Sequence, residues 1–437
     1  MPVSDVSLDD LARQAVRIPL DAIPLKTRTH AIRVVADTIG VIFGGGRLPE
    51  IERLVRGQDP LFPPPAGGLA QLLIAGLPGA DPSFAAFVNA TAGTFLELDE
   101  GYRPTGHPAM HVLPAALATA QALHRSGADF LLAVLSGYEV TARLFEAYRL
   151  TYPLHPHGHF GAVGAAVAVA RLRGVDPAEP AAIAATLPLL PVWQSCLEGA
   201  TARNAYTGVA SALGLVANRM ALAGFRGSRE AQPAAFGDLV GELVNPAALT
   251  AAVDPGNLRI ARNYLKFHSA CALNHAALDA VLLLRPEADQ VERVEVETIV
   301  NNLKIAAQAR PNDLSTRFSL PYAVATAIIH GHTRPEAFVP DERVVALARR
   351  VEVRAAPDLE AMWPDAAPAR VTVHAHGQSS CLQVNNPRGH HRNPPTEAEL
   401  RGKFELLVAR PEAAELYDRL LGLAEVDDMA RIFDLLA

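Results

Sequence analysis

The amino-acid sequence predicts a mainly α-helical protein with a smaller α+β domain. Long Ala-, Leu- and Val-rich segments, broken by Gly, Pro or Asp, fill the first 262 residues and are typical of packed helices. Four later segments alternate apolar and polar side chains with period two, as half-buried strands do. They are residues 291–300, 350–354, 369–375 and 380–384. Helical segments resume at Thr396.

The helices are predicted in order along the chain. Ser7 is the predicted N-cap of the first, because acidic residues follow it in the first turn. After the pair His107-Pro108, an apolar helix is expected to begin near Pro114. The other helical segments lie near residues 27–43, 83–98, 112–125, 128–148, 160–173, 178–190 and 206–223, and between the strands near 271–284, 319–331 and 341–349.

Chain length predicts two domains. At 437 residues the chain exceeds the usual size of a single hydrophobic core, and half of its residues are hydrophobic. The simplest arrangement returns the last helices to the first ones. We therefore predict a large helical domain of residues 1–262 and 395–437 and an inserted α+β domain of residues 263–394.

Composition excludes several partners. The net charge is −7 and no basic run occurs, which argues against nucleic acid and anionic membrane surfaces. No uninterrupted apolar run reaches eighteen residues, and the N-terminus lacks a basic segment followed by an apolar one, so neither a membrane span nor a signal peptide is expected. The three cysteines are far apart and odd in number, which suits the reducing cytoplasm.

The stretch from Glu97 to His107 is the strongest candidate for a functional site. Glu97, Asp99 and Glu100 lie within four residues, and a turn rich in Gly and Pro separates them from His107. Carboxylates and an imidazole beside a buried helix are components of acid/base sites. The alternative is the solvated end of a helix.

The pattern His155-x-His157-x-His159 raises the question of a metal site. The three side chains would share one face of a strand, whereas in a helix only His155 and His159 would be close. No paired carboxylate occurs at ligand spacing nearby, so no bound metal is predicted. His155 also precedes a proline, which favours an extended backbone for both His107 and His155.

Lysine is scarce in this chain. Of 39 basic residues only four are lysines, at positions 26, 266, 304 and 403, so each compact ammonium merits attention. Lys266 precedes an aromatic residue near the predicted domain junction, where it is either a surface lysine or a charge for a substrate carboxylate or enolate.

Several segments, in order along nearly three quarters of the chain, resemble the MmgE/PrpD family, which includes 2-methylcitrate dehydratase and cis-aconitate decarboxylase. These segments are residues 97–113, 127–143, 155–166, 266–271 with His275 and Asp279, 317–322, and 386–394 with Lys403-Phe404. The resemblance implies a helical domain built from both chain ends, a smaller lid domain, a cleft between them and a homodimer. It also implies chemistry on small polycarboxylates without an organic cofactor.

The resemblance also implies which residues form the site. The catalytic candidates are Glu97, His107, His155, Lys266 and Tyr322. The candidates for substrate binding are Arg203, Asp99, Arg103, His157, His159 and Arg317. The chain departs from the family at four of these positions, since Glu97 stands where the family usually has Asp, Arg203 where it has Lys, and His157 and His159 where it has hydroxyl residues.

The function that the resemblance implies is that of a lyase acting on a small di- or tricarboxylate. Dehydration of a citrate-like or 2-methylcitrate-like acid is the first expectation, and decarboxylation of a cis-aconitate-like acid the second. An epimerase or isomerase on the same scaffold is a different class of enzyme and stays open. So does a divergent member in a specialised biosynthetic pathway, because a guanidinium at position 203 cannot donate a proton near pH 7.

Overall fold

The computed structural model describes residues 8–436, apart from residues 58, 62, 188 and 311. The predicted N-cap Ser7 lies outside these residues, as does the first half, residues 1–7, of the segment used to argue against a signal peptide. Within the described part of the chain, no helix combines the length and the apolar character needed to cross a membrane.

Twelve α-helices occupy the described part of the first 262 residues. They are α1 Leu8–Ala15, α2 Leu25–Gly46, α3 Pro49–Arg56, α4 Pro82–Thr94, α5 Pro108–Ala122, α6 Gly127–Ala147, α7 Gly161–Arg173, α8 Ala178–Thr186, α9 Trp193–Glu198, α10 Ala205–Leu222, α11 Ala231–Pro233 and α12 Ala247–Thr250. Two short antiparallel ribbons accompany them, β1 Ala70–Gln71 with β2 Gly79–Ala80 and β3 Tyr148–Leu150 with β4 Gly241–Leu243.

The predicted start of helix α5 is wrong. It begins at Pro108 and not near Pro114, so His107 is its N-cap. A proline is favourable at the first helical position because its missing N–H has no partner there anyway, and the apolar periodicity of the sequence does not register this. Pro114 lies inside the helix. The consequence is that His107 lies directly at the positive end of a buried helix.

The α+β unit is built on one four-stranded sheet. Its strands are β5 Val291–Thr298, β6 Val351–Ala355, β7 Ala369–Ala375 and β8 Gln378–Val384, in the order β6-β5-β7-β8. The β5–β6 pair is parallel and the other two pairs are antiparallel. The helices of this unit are α13 His275–Leu284, α14 Leu320–His330, α15 Glu342–Ala348 and α16 Pro357–Glu360. The alternating burial of β7 confirms the period-two prediction.

The C-terminal helices α17 Glu397–Val408 and α18 Ala413–Leu421 pack against α2. Phe404 of α17 lies so close to Gly40 of α2 that a Cβ atom there would come within 2.8 Å of its ring. Both chain ends contribute to one hydrophobic cluster, while residues of the α+β unit form another. The predicted fold class is confirmed, and the boundaries at residues 262/263 and 394/395 stay a prediction.

Candidate active site

The acidic turn that follows α4 carries a strained residue. Glu97 has φ +52°, in the left-handed region that non-glycine residues rarely adopt, and its side chain is buried. Ser269 donates a hydrogen bond to the carbonyl of Leu96, and Lys403 donates one to the carbonyl of Leu98. Two distant segments therefore hold the backbone on either side of Glu97.

The segment from Tyr264 to Lys266 carries the ammonium to this turn. Tyr264 exchanges two backbone hydrogen bonds with Gly101, and Leu265 donates one to the carbonyl of Gly389. A Cβ atom at position 101 would lie 2.2 Å from the Tyr264 ring, so only glycine permits this approach. Lys266 thus follows directly on a segment whose backbone is bonded to both Gly101 and Gly389.

Two cations and two carboxylates form a buried cluster. The Nζ atom of Lys266 lies 3.1 Å from Glu97 Oε2 and 3.1 Å from Asp99 Oδ1. The Arg203 guanidinium pairs with the other Glu97 oxygen and lies 4.9 Å from the centre of the Phe318 ring. The formal charges of these four groups cancel, so the cluster has no net charge before a substrate binds.

Electrostatic coupling fixes the ionisation of this cluster. Burial by itself raises the pKa of Asp99, but the charges of Lys266 and His107 outweigh it and hold the pKa well below its usual range. Burial likewise lowers the pKa of Lys266, and the adjacent carboxylates of Asp99 and Glu97 more than reverse this effect. Lys266 therefore remains an ammonium at neutral pH.

The hydrogen bonds of His107 determine its tautomer. Its Nδ1 atom lies 2.7 Å from the carbonyl oxygen of Glu100 and 2.8 Å from Asp99 Oδ2. Both oxygens only accept, so Nδ1 carries the hydrogen and Nε2 is left available to a bound molecule. A carboxylate behind an imidazole orients the ring, as in other acid/base sites.

His155 has the opposite arrangement. Its Nδ1 atom accepts a hydrogen bond of 3.2 Å from the backbone N–H of His157, so the neutral ring carries its hydrogen on Nε2. Burial, together with the charge of Arg203, places its pKa well below the usual value. At neutral pH His155 is a neutral hydrogen-bond donor. The sequence identified both His107 and His155 but could not distinguish these states.

The loop before α7 carries two further buried histidines, His157 and His159. The ring of His157 stacks on His107 with centroids 4.3 Å apart, and its Nε2 atom is 3.3 Å from the Arg203 guanidinium. His159 is buried, and burial lowers its pKa to about 4. His111, on α5, is bonded at both nitrogens and holds the loop at Gly158.

One group of three potential metal ligands occurs among the described residues: Asp99, His107 and His157. The rings of His107 and His157 are nearly parallel, at 19°, so their lone pairs do not converge on one point. Both oxygens of Asp99 already face Lys266 or His107. This geometry does not match the coordination that a transition metal requires.

A cavity of about 340 Å³ lies over the cluster. It is lined by six of the predicted site residues, namely Glu97, Arg103, His107, His155, Arg203 and Lys266. The cavity therefore brings together side chains that are far apart in the sequence, between positions 97 and 266, as the predicted acid/base chemistry requires. Asp99, His157 and His159 lie behind its wall.

Tyr322 and Arg317 lie apart from the cavity wall, in the α+β unit. The Tyr322 hydroxyl donates to the carbonyl of Val339 at 2.6 Å and accepts from the N–H of Asp341. The Arg317 guanidinium lies 5.5 Å from the Phe338 ring, and its pKa is lowered to about 10 by burial. Both side chains are thus held by contacts within the α+β unit.

The cavity also contains residues that the sequence did not identify. Trp193, Tyr264, Trp363 and Lys304 line it. The aromatic residues belong to no recognisable motif, and only the folded chain brings them to the cavity. For Lys304 one signal was present, because it is one of the four lysines.

Fold and site together define an enzyme-like cleft with acid/base groups over a buried charge cluster. The MmgE/PrpD N-terminal domain matches residues 9–238, and the MmgE/PrpD C-terminal domain matches residues 268–421. The chain belongs to this family. It is 24% identical to a cis-aconitate decarboxylase of Mus musculus over 79% of this chain and 75% of the relative. It is also 24% identical to a cis-aconitate decarboxylase of Aspergillus terreus, over 98% of this chain and 95% of the relative.

Proposed function

We propose that this protein is a lyase that removes carbon dioxide from a small tricarboxylate of the cis-aconitate type. The observation that carries the proposal is the His107 ring, which is backed by Asp99 and leaves Nε2 available beside the Lys266 ammonium. The names of the relatives favour decarboxylation, although dehydration was the first expectation from the sequence.

In the proposed reaction the bond between a substrate carbon and its carboxylate breaks, and carbon dioxide leaves. The electron pair passes into the adjoining double bond and carboxylate, where Lys266 lies close enough to stabilise the developing charge. His107, protonated on both nitrogens, then delivers a proton from Nε2 to carbon. Its other N–H remains on Asp99 and Glu100. His155 donates its Nε2 hydrogen to a substrate oxygen and holds it in place.

Arg203 supports this reaction as a fixed charge. Its guanidinium pairs with Glu97, and that carboxylate also meets Lys266, so Arg203 positions the Glu97–Lys266 pair. The longer Glu97 side chain is what reaches both cations. The substitutions at 97 and 203 thus form one compensated pair, and proton transfer passes through His107.

We also propose a cytoplasmic homodimer in which the α+β unit acts as a lid over the cavity. All three cysteines are free thiols, in keeping with a reducing compartment. The outer face of α10 exposes Val209 (41%) and Val216 (40%), at helical spacing with the half-buried Leu213 and Met220. An unpartnered apolar face of this kind is typical of subunit interfaces.

The function is tested by incubating the purified protein with cis-aconitate, citrate and 2-methylcitrate in D₂O and following the products by NMR and ultraviolet absorbance. Decarboxylation predicts loss of carbon dioxide from cis-aconitate and one solvent deuterium in the product. A new double bond formed from citrate or 2-methylcitrate, without carbon dioxide, would instead identify a dehydratase. Deuterium in an unchanged substrate would identify an isomerase, and thermal stabilisation without turnover a binding protein.

A further inference from the structure

The cationic side chains of the cavity fall into two groups. Five cations line it: Arg103, Arg149, Arg203, Lys266 and Lys304. The first group is already neutralised, since Arg203 and Lys266 pair with buried carboxylates and Arg149 pairs with Glu242 at the exposed rim. Within the described part of the chain, Arg103 and Lys304 have no carboxylate within 4 Å. These two are the cations whose charge is free for a ligand.

Lys304 lies in the turn Val300–Ile305 that follows strand β5, so it belongs to the α+β unit. Its Nζ atom is 6.0 Å from the centre of the Tyr152 ring and 5.7 Å from that of Trp193. It donates one hydrogen bond, to Asn301 Oδ1 at 2.8 Å, and has further hydrogens to give. The Trp193 ring in turn lies 4.6 Å from His155, so Lys304 is near the His155 side of the cavity.

Arg103 is placed near the Lys266 side. Its guanidinium carbon lies 5.3 Å from the Tyr264 ring and 5.5 Å from the Trp363 ring, and its Nε atom is buried without a hydrogen-bond partner. Tyr264 is two residues from Lys266. Aromatic faces hold a guanidinium in one orientation without neutralising its charge, which leaves the site prepared for a carboxylate.

We propose that Lys304 and Arg103 each bind a carboxylate of the substrate, one towards each end of the cavity, and that Lys304 is a specificity-determining residue. This inference rests on the proposed function and names its substrate class, an acid with carboxylates at both ends of its carbon chain.

The test measures binding of propane-1,2,3-tricarboxylate by isothermal titration at low salt. This acid has three carboxylates but neither a hydroxyl group nor a double bond, so its binding does not depend on turnover. We expect Lys304→Gln to raise Kd by about tenfold or more, Lys304→Arg to stay within about threefold of wild type, and added salt to shrink the difference. Lys26→Gln removes an exposed lysine of α2 and is the matched control, expected to leave Kd unchanged.

Unchanged binding by Lys304→Gln, or a loss in Lys304→Arg equal to that in Lys304→Gln, would overturn this inference while leaving the lyase proposal standing. Failure of the wild-type protein to bind the tricarboxylate at all would contradict both. Cooperative thermal unfolding of each variant establishes that a loss of binding is not a loss of fold.

Discussion

Two carboxylates that are adjacent in the sequence have opposite environments in the structure. Asp99 faces Lys266 and His107, which hold its pKa well below the usual range. Glu100 accepts a hydrogen bond from the N–H of Ala109 but pairs with no cation among the described residues, and burial raises its pKa to about 8. Nothing in the run Glu97 to Glu100 indicates this difference, because it depends on which side chains pack against each carboxylate.

The raised pKa of Glu100 predicts that the stability of the protein depends on pH. The pKa of Glu100 rises from 4.5 to about 8 on folding, so its contribution to stability is fully present below pH 4.5 and is lost as the pH rises toward 8. Glu100→Gln does not titrate, so its free energy of unfolding should rise relative to that of wild type as the pH increases from 4.5 to 8. The expected change in this difference is about 2–4 kcal/mol, since each pH unit contributes up to about 1.4 kcal/mol. Denaturant unfolding at pH 5 and pH 8.5 measures the gap.

The control for this prediction is Glu415→Gln, which removes an exposed carboxyl group from α18. Its unfolding free energy should follow wild type at both pH values. A gap between Glu100→Gln and wild type that stays constant from pH 5 to pH 8.5 would show that Glu100 is ionised throughout the folded state.

At the scale of elements, the acidic turn is held by helices from both ends of the chain. Lys403 of α17 donates to the carbonyl of Leu98 at 3.0 Å and pairs with Asp37 of α2 at 2.7 Å. Burial raises the pKa of Asp37 and lowers that of Lys403, so both partners depend on each other to stay charged. The pair therefore links α2 and α17 to the backbone beside Glu97.

This link predicts a separation of stability from activity. Lys403→Met leaves Asp37 as an uncompensated buried carboxylate and should cost about 3–5 kcal/mol of unfolding free energy. The double variant Asp37→Asn/Lys403→Met should recover most of that loss, yet kcat/KM should stay at least about tenfold low because Leu98 has lost its donor and the turn is displaced. Denaturant unfolding and steady-state kinetics measure both. Full recovery of kcat/KM in the double variant would limit the pair to a structural role.

The elements themselves were largely predictable from the sequence, and their contacts were not. Apolar runs predicted α2, α6, α7 and α10, and period-two alternation predicted the strands of the sheet, because burial of one face imposes these repeats. The start of α5 was misplaced since a proline at the first helical position resembles a turn. The pattern His155-x-His157-x-His159 did not decide between a strand and a helix, and in the structure this segment is a loop.

At the scale of the whole molecule, the site exists because distant segments meet. The family resemblance predicted that Glu97, His107, His155 and Lys266 share a cavity, which they do. Lys304, Trp193 and Trp363 lay outside this prediction, because only the folded chain brings them to the cavity. Residues joined by folding alone carry no local signal in a single sequence.

The proposed dimer gives a prediction at this scale. Val216→Glu places a charge on the apolar face of α10, and burying it in an interface without a partner would be unfavourable. We expect wild type to sediment as a dimer and the variant as a monomer. Leu406→Glu, at a position of α17 that is 46% exposed, should sediment as wild type. A monomeric wild type, or a variant that remains dimeric, would reject α10 as the interface.

The central claim is that the Lys266 ammonium, fixed between Glu97 and Asp99, stabilises the charge that develops in the reaction. The most direct measurement is kcat/KM of Lys266→Ala, on the acid that wild type converts, beside wild type and Lys26→Ala. The account predicts a loss of at least about 2 kcal/mol in transition-state stabilisation, roughly thirtyfold in kcat/KM, with Lys26→Ala unchanged. A folded Lys266→Ala variant with the kcat/KM of wild type would contradict it.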